Sequence, residues 1–204
     1  MSSPALVLLA AGASERLGQP KALVRLRASA PGSPLELLLS AGAALGDPRP
    51  LVVVGPAVAA IEAVLPEGVE VLVNHEWRAG RTGSVRVAVE ARPGRALCLA
   101  PVDVPLVPEG VFARLAEEWR RLGAPAHGWL APFVLHGGTR RHGHPVVVGH
   151  ALASELKDFP PDRPLHELRA RARPLAAVQV TSAAILDDLD TPADLERLTR
   201  RLTP

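Results

Sequence analysis

Aromatic residues are scarce: three Phe, three Trp and no Tyr among 204 residues, 3% of the chain. A chain that is 48% hydrophobic with so few rings must fill its core with Leu, Val and Ala. One cysteine, Cys98, excludes an internal disulfide. It lies in the apolar run Ala96 to Ala100 and reads as a buried strand thiol rather than a nucleophile. No apolar run is long enough to span a bilayer. No Lys or Arg precedes the apolar stretch Ala5 to Ala13, which passes straight into Glu15 and Arg16, so a secretory leader is not expected and the cytoplasm is the expected compartment. The net charge is only +2, and no basic run is interleaved with aromatics, which argues against nucleic acid as a partner. The 21 Pro and 17 Gly punctuate the chain without a repeat. Three familiar motifs are also missing. Gly18 is not followed by Lys-Ser or Lys-Thr as in a P-loop, Gly12 and Gly18 are too far apart for G-x-G-x-x-G, and there is no G-x-S-x-G elbow.

What is present is a regular alternation of buried strands and amphipathic helices. Ala5–Ala10, Leu51–Gly55, Val69–Val73 and Ala96–Leu99 read as strands, Val- and Leu-rich and without polar alternation, as expected where both faces are covered. Between and after them, Pro34–Leu45, Ala57–Leu65, Thr82–Ala91 and Pro108–Leu122 read as helices. The last third is less regular. Leu130–Leu135, Val146–Val148 and Leu175–Val180 are expected strands; Ala151–Leu156, Leu165–Ala170 and Pro192–Leu202 are expected helices, with a Gly-rich loop around residues 137–145. The pattern predicts an α/β fold, a Rossmann-like, mostly parallel sheet with helices on both faces. The length suits one domain over residues 1–204.

Leu9-Ala10-Ala11-Gly12-Ala13-Ser14-Glu15-Arg16-Leu17-Gly18-Gln19-Pro20-Lys21 carries the most chemistry. A strand empties into a loop of small residues bearing two cations. Glycine lets the backbone come close to a ligand, exposed N–H groups donate to phosphate oxygens, and Arg16 and Lys21 add charge. A nucleotide substrate follows. The strand ending at Leu99 leads into Pro101-Val102-Asp103-Val104-Pro105. In an open α/β sheet ligands gather at the carboxyl ends of strands, so Asp103 should lie near that cradle. An acid beside polyphosphate makes sense with a divalent cation between them; otherwise Asp103 merely shapes a turn. Asp187, Asp188 and Asp190 crowd together before Thr191-Pro192. Asp190 or Thr191 is expected to cap the closing helix, with Asp194 complementing its dipole. Gly80, Gly83 and Ser84 could read a base edge, or Ser84 could simply be a helix N-cap. His142 and His144, alternate residues with no third ligand nearby, make a poor metal site.

The L-A-A-G-x-S-x-R-hydrophobic-G-x-x-K segment resembles the signature loop of the MobA-like NTP transferases, the branch of the small nucleotidyltransferases that includes the molybdopterin cytidylyltransferases and guanylyltransferases. N-x-x-W-x-x-G-x-x-x-S, G-H-P and D-x-D-T-P-x-D-L are similar to three further segments of that family, in the family's order. The resemblance implies the nucleotide-diphospho-sugar transferase fold and a Mg²⁺-dependent transfer of a nucleoside monophosphate from CTP or GTP to a phosphorylated acceptor such as molybdopterin. It implies nucleotide contacts at Leu9, Ala10, Ala11, Gly12, Ser14, Arg16, Lys21, Gly80, Gly83, Ser84 and Asp103, with Lys21, Arg16 and Asp103 catalytic. It also implies a metal held by Asp103 and Asp188, with Asp190 second, and an acceptor bound by Arg141, Gly143 and His144. Leu17 stands where the family often has Met or Phe, and Pro-Val-Asp103 departs from the usual Gly-Asp. A sugar-phosphate or terpenoid-precursor acceptor, or a non-catalytic nucleotide-binding module, are the alternatives. A monomer or weak homo-oligomer is expected.

Overall fold

A computed structural model describes residues 3–160 and 163–202. One eight-stranded sheet runs through the molecule. Its first four strands are parallel: β1 (Ala5–Ala10), β2 (Leu51–Val54), β3 (Glu70–Val73) and β4 (Leu97–Pro101), in the order β3-β2-β1-β4. Beyond β4 the sheet is mixed. β7 (Val146–Val148) pairs antiparallel with β4 and with β5 (Trp129–His136), β6 (Thr139–His142) forms a hairpin with β5, and β8 (Leu175–Gln179) lies parallel along β5.

Alternate residues of β1 and β4 feed two separate cores, which is why neither strand shows polar alternation. Leu6, Leu8, Cys98 and Ala100 face α1 (Pro34–Gly42) and α4 (Glu109–Arg121) through Leu35, Leu38, Phe112 and Trp119. Ala5, Val7, Leu97 and Leu99 face α3 (Arg81–Ala91) and α5 (His150–Ser154) through Val85, Ala88 and Leu152. α2 (Val58–Glu62) covers the first face through Ile61. Cys98 is fully buried, and that burial pushes its thiol well above its ordinary range.

The expected α/β fold holds, with local departures. The helix expected over Pro34–Leu45 ends at Gly42 and tightens into a 3₁₀ turn, Ala43–Leu45. Gly42 sits so close to β1 that a Cβ there would stand 2.4 Å from Leu6. Ser33 caps α1, and Glu36 reaches back to the Ser33 N–H at 2.8 Å, so the turn-rich stretch before the helix ends in a reciprocal capping box. Residues 139–142, read as loop, form a strand, because Gly137 and Gly138 take positive φ and close a tight hairpin. Leu165–Ala170, expected as a short helix, lies in a 3₁₀ stretch, Leu165–Arg171.

A third, small core positions the site. Leu17 of the cradle packs with Val24, Leu26, Leu189 and with Leu198 of α6 (Pro192–Leu202). The closing helix is thereby anchored on the loop after β1, and the acidic segment before it is carried to the carboxyl ends of β1 and β4.

Candidate active site

Register fixes the centre of the site. Leu9 lies opposite Pro101, and the Val102 N–H donates to the Leu9 carbonyl at 3.2 Å, so the cradle and the Asp103 turn leave the sheet side by side. Ser14 holds the cradle's shape: its φ is +58°, and its Oγ accepts the Lys21 N–H at 3.0 Å. Leu9, Ala10, Ala11, Gly12, Ser14 and Lys21 all line a cavity of about 180 Å³, closed on the far side by Gly80, Arg81, Ser84 and Asp103. Gly12 has no positive φ, and a Cβ there would meet nothing within 4 Å. Nothing in the fold asks for glycine at Gly12; its missing side chain leaves room in the cavity.

The acids sort themselves by partner. The Leu189 N–H donates to the Asp103 carbonyl at 2.7 Å, which pins the acidic segment against the Asp103 turn. Asp187 faces α6 and pairs with Arg197 at 3.2 Å and with Arg201. Asp188 is on the other side. Desolvation within the site, then the charges of Asp103, Asp190 and Asp194, raise its carboxyl above the ordinary range. Asp190 binds Lys21 and, at 3.0 Å, Arg16; the Lys21 bond and charge hold its carboxyl below the ordinary range. Thr191 is the cap of α6: its Oγ1 accepts the Asp194 N–H at 3.2 Å, while Asp194 Oδ2 accepts the Asp190 and Thr191 N–H groups. Asp194, bonded to Arg197 and Thr191, is driven far below its usual pKa; with Thr191 as the cap, the Asp190 carboxylate turns to Lys21 and Arg16.

The base loop differs from expectation in detail. Gly80, with φ +124° and ψ 174°, precedes α3 in a conformation that favours glycine. Ser84 is therefore the fourth residue of the helix and not its N-cap. It is buried, and its Oγ accepts Asn74 Nδ2 at 3.0 Å, while Asn74 Oδ1 accepts the Glu76 N–H. Gly83 does not line the cavity; it faces Asn74, 3.5 Å from where its Cβ would be.

A second cavity, about 420 Å³, adjoins the first through Leu9, Gly80, Arg81 and Pro101. Trp129, His144, Val146 and Leu165 form its body, with Arg163 and His166 toward its outer wall. His144 is held neutral: burial, then the charge of Arg81, lowers its pKa to about 4. Its Nδ1 and the Trp129 Nε1 are buried without a hydrogen-bond partner among the described residues. The other two expected acceptor residues lie elsewhere. Arg141 is exposed on β6 and lines neither cavity, because the strand that replaces the expected loop turns it outward. Gly143 is a packing glycine, since a Cβ there would stand 2.1 Å from the Ile185 carbonyl oxygen. Arg81, which no spacing argument singles out, donates to Asp103 Oδ2 at 3.0 Å. Trp77 also borders the first cavity.

Residues 6–178 match the MobA-like NTP transferase domain. The chain belongs to that family. It is an enzyme of the nucleotidyltransferase type. No curated protein matches the chain. Among solved structures it is similar to Rv0371c from Mycobacterium tuberculosis H37Rv, with 26% identity and TM-score 0.77 over 98% of this chain and 100% of that one. A second structure of Rv0371c is a complex with manganese, with 24% identity, TM-score 0.75 and coverage of 98% and 99%. Molybdopterin-guanine dinucleotide biosynthesis protein A from Archaeoglobus fulgidus shares the fold at 17% identity, TM-score 0.72, over 97% and 98%. So does 2-C-methyl-D-erythritol 4-phosphate cytidylyltransferase from Thermus thermophilus, at 21% identity, TM-score 0.69, over 98% of both chains. The MobA-like fold accounts for the side-by-side cradle and acid. Among the described residues, no helix is long and apolar enough to cross a membrane.

Proposed function

We propose that this MobA-like transferase moves a nucleoside monophosphate from CTP or GTP to a phosphorylated pterin of the molybdenum-cofactor type, with Mg²⁺ as cofactor and pyrophosphate as product. The observation that carries the proposal is one continuous site: a small cavity walled by the cradle, Lys21 and Asp103, opening into a larger apolar one. A triphosphate fits the first and the body of a heterocyclic phosphate the second. Trp129 and His144 give the second cavity flat ring walls against which a planar heterocycle can lie. The molybdopterin-directed Archaeoglobus relative supports the acceptor class.

Asp103 and Asp188 fit a divalent cation. Desolvation and the Asp103 charge raise the cost of ionising Asp188, a cost that a cation beside it removes. Mg²⁺ typically takes only one or two carboxylates, completing its shell with water and phosphate oxygens. The manganese complex of Rv0371c supports such a site. When bound, the ion neutralises phosphate charge and draws the two reacting groups together.

An acceptor phosphate oxygen, already ionised at neutral pH, attacks the α-phosphorus. A new P–O bond forms as the α–β bridging P–O bond breaks, and the electron pair leaves on pyrophosphate. No general base is required, because the attacking oxygen carries no proton to remove. Catalysis is positioning and charge stabilisation. Lys21 steadies charge at the α-phosphate, while Arg16 and the loop N–H groups hold the β- and γ-phosphates. Ser14 fixes the loop through the Lys21 N–H. The test is direct: purified protein, Mg²⁺, CTP or GTP, and molybdopterin, with pyrophosphate release and the dinucleotide product measured. Turnover with a sugar phosphate or methylerythritol phosphate and none with molybdopterin would overturn the acceptor.

A further inference from the structure

Two anions must meet in this site, and most of its cations are already engaged. Lys21 and Arg16 both bind Asp190. Arg81 stands apart from them. It opens α3 just after Gly80, and it is the charged residue among the four that border both cavities. One guanidinium nitrogen reaches Asp103 Oδ2 at 3.0 Å, and its side chain is 48% exposed. A guanidinium carries five N–H donors in a planar fork, so a single bond to Asp103 leaves an edge free to grip a second, tetrahedral anion. Among the described residues that line the second cavity there is no carboxylate.

Building on the nucleotidyl-transfer reading, we infer that Arg81 binds the attacking phosphate of the acceptor and, keyed by Asp103, holds it at the boundary between the two cavities. An acceptor phosphate entering through the second cavity carries two negative charges toward a polyphosphate, and unscreened repulsion at that approach opposes the in-line geometry. Arg81 offsets that repulsion where the two substrates touch. The pairing with Asp103 fixes the guanidinium plane so that little side-chain freedom is lost when the phosphate arrives.

The experiment uses the full chain saturated with Mg²⁺ and the α,β-methylene analogue of CTP or GTP, whichever binds. Inorganic phosphate is then titrated by calorimetry into wild type, Arg81→Lys and Arg81→Gln. Losing one charge-assisted contact should weaken phosphate binding by about tenfold or more in Arg81→Gln. Arg81→Lys, a point charge without the fork, should fall between that variant and wild type. Affinity for the nucleotide analogue should fall clearly less than affinity for phosphate in both variants. If Arg81→Gln binds phosphate as wild type does, the inference is overturned. A parallel loss of analogue and phosphate binding overturns it too, assigning Arg81 to the nucleotide cradle. Wild type that binds the analogue but no phosphate also sinks it. Wild type that binds no analogue is a different failure, that of the nucleotide reading itself. Should Arg81→Gln fail to fold, Arg81→Lys carries the test alone, with wild-type phosphate affinity as the overturning result.

Discussion

Asp190→Asn should make nucleotide bind more tightly when no divalent metal is present. The Asp190 carboxylate pairs with Lys21 and Arg16, so under the proposed function a triphosphate entering the cradle must displace it. The Arg16 side chain is 69% exposed, and its pair with Asp190 is of the surface kind, worth at most about 1 kcal/mol. The Lys21 side chain is only 15% exposed, which favours the charge-assisted range of about 1.5–3 kcal/mol. Asp190 itself is 34% exposed, however, and water screening brings that contribution toward about 1 kcal/mol. Together they set a displacement cost of about 1–2 kcal/mol, a factor of roughly 5–30 in an equilibrium constant. Asn keeps the side chain's shape and removes its charge. Calorimetric titration of CTP and GTP in excess EDTA should therefore show a dissociation constant about 5–30 times lower in the variant. An unchanged or higher constant would refute the competition between Asp190 and phosphate. Thermal melts without nucleotide supply the complementary reading: the variant should be slightly less stable, since Lys21 loses its partner.

Further expectations concern single residues. Lys21→Ala should fold normally and lose about 10²–10³ in kcat, the usual consequence of removing one preorganised charge; retention of half the wild-type rate would refute its role. Gly12→Ala should leave the melting temperature almost unchanged, because its Cβ meets nothing within 4 Å, yet raise the nucleotide KM, with a silent KM arguing that no ligand approaches there. Ser84→Ala strands the buried Asn74 Nδ2 and should cost about 1–3 kcal/mol in denaturant unfolding; a shift in CTP-to-GTP selectivity beyond that loss would show that Ser84 also reads the base. The folded pKa of His144, about 4, lies below the ordinary 6.5, so the unfolded chain takes up that proton first and stability falls as the pH drops from about 6.5 toward 4. His144→Gln should flatten this part of the stability–pH curve, and an unchanged slope would place its origin elsewhere.

The parts of the site that were legible in the sequence are those where one local constraint decides the residue. A strand emptying into Gly12, Ser14, Arg16 and Lys21, and an acid just past another strand, follow from backbone and charge chemistry within a dozen residues. The order of alternating strands and helices then puts both at one end of the sheet. What stayed hidden depends on partners distant in sequence. The sequence resemblance sets Asp188 ahead of Asp190 and leaves Asp187 aside, but that Asp187 faces α6 and Asp190 fills the cradle shows only in the docking of α6 onto Leu17. Arg81 reads as an ordinary first-turn residue until Asp103, 22 positions later, is seen beside it. Gly143 and Arg141 mislead for the opposite reason. A Gly-rich basic stretch has the composition of an anion loop, but Gly137 and Gly138 close a hairpin and Gly143 makes room for the Ile185 carbonyl. Glycine in this chain therefore carries meanings that composition alone does not separate: a positive φ, as at Gly137 and Gly138, close contact with a neighbouring segment, as at Gly143 and Gly42, and room left empty, as at Gly12. Empty room alone does not point to a ligand, since Gly110 is as unhindered yet lies exposed on α4 and lines neither cavity; at Gly12 the room lies inside the first cavity beside Lys21 and Asp103, and that placement is the signal.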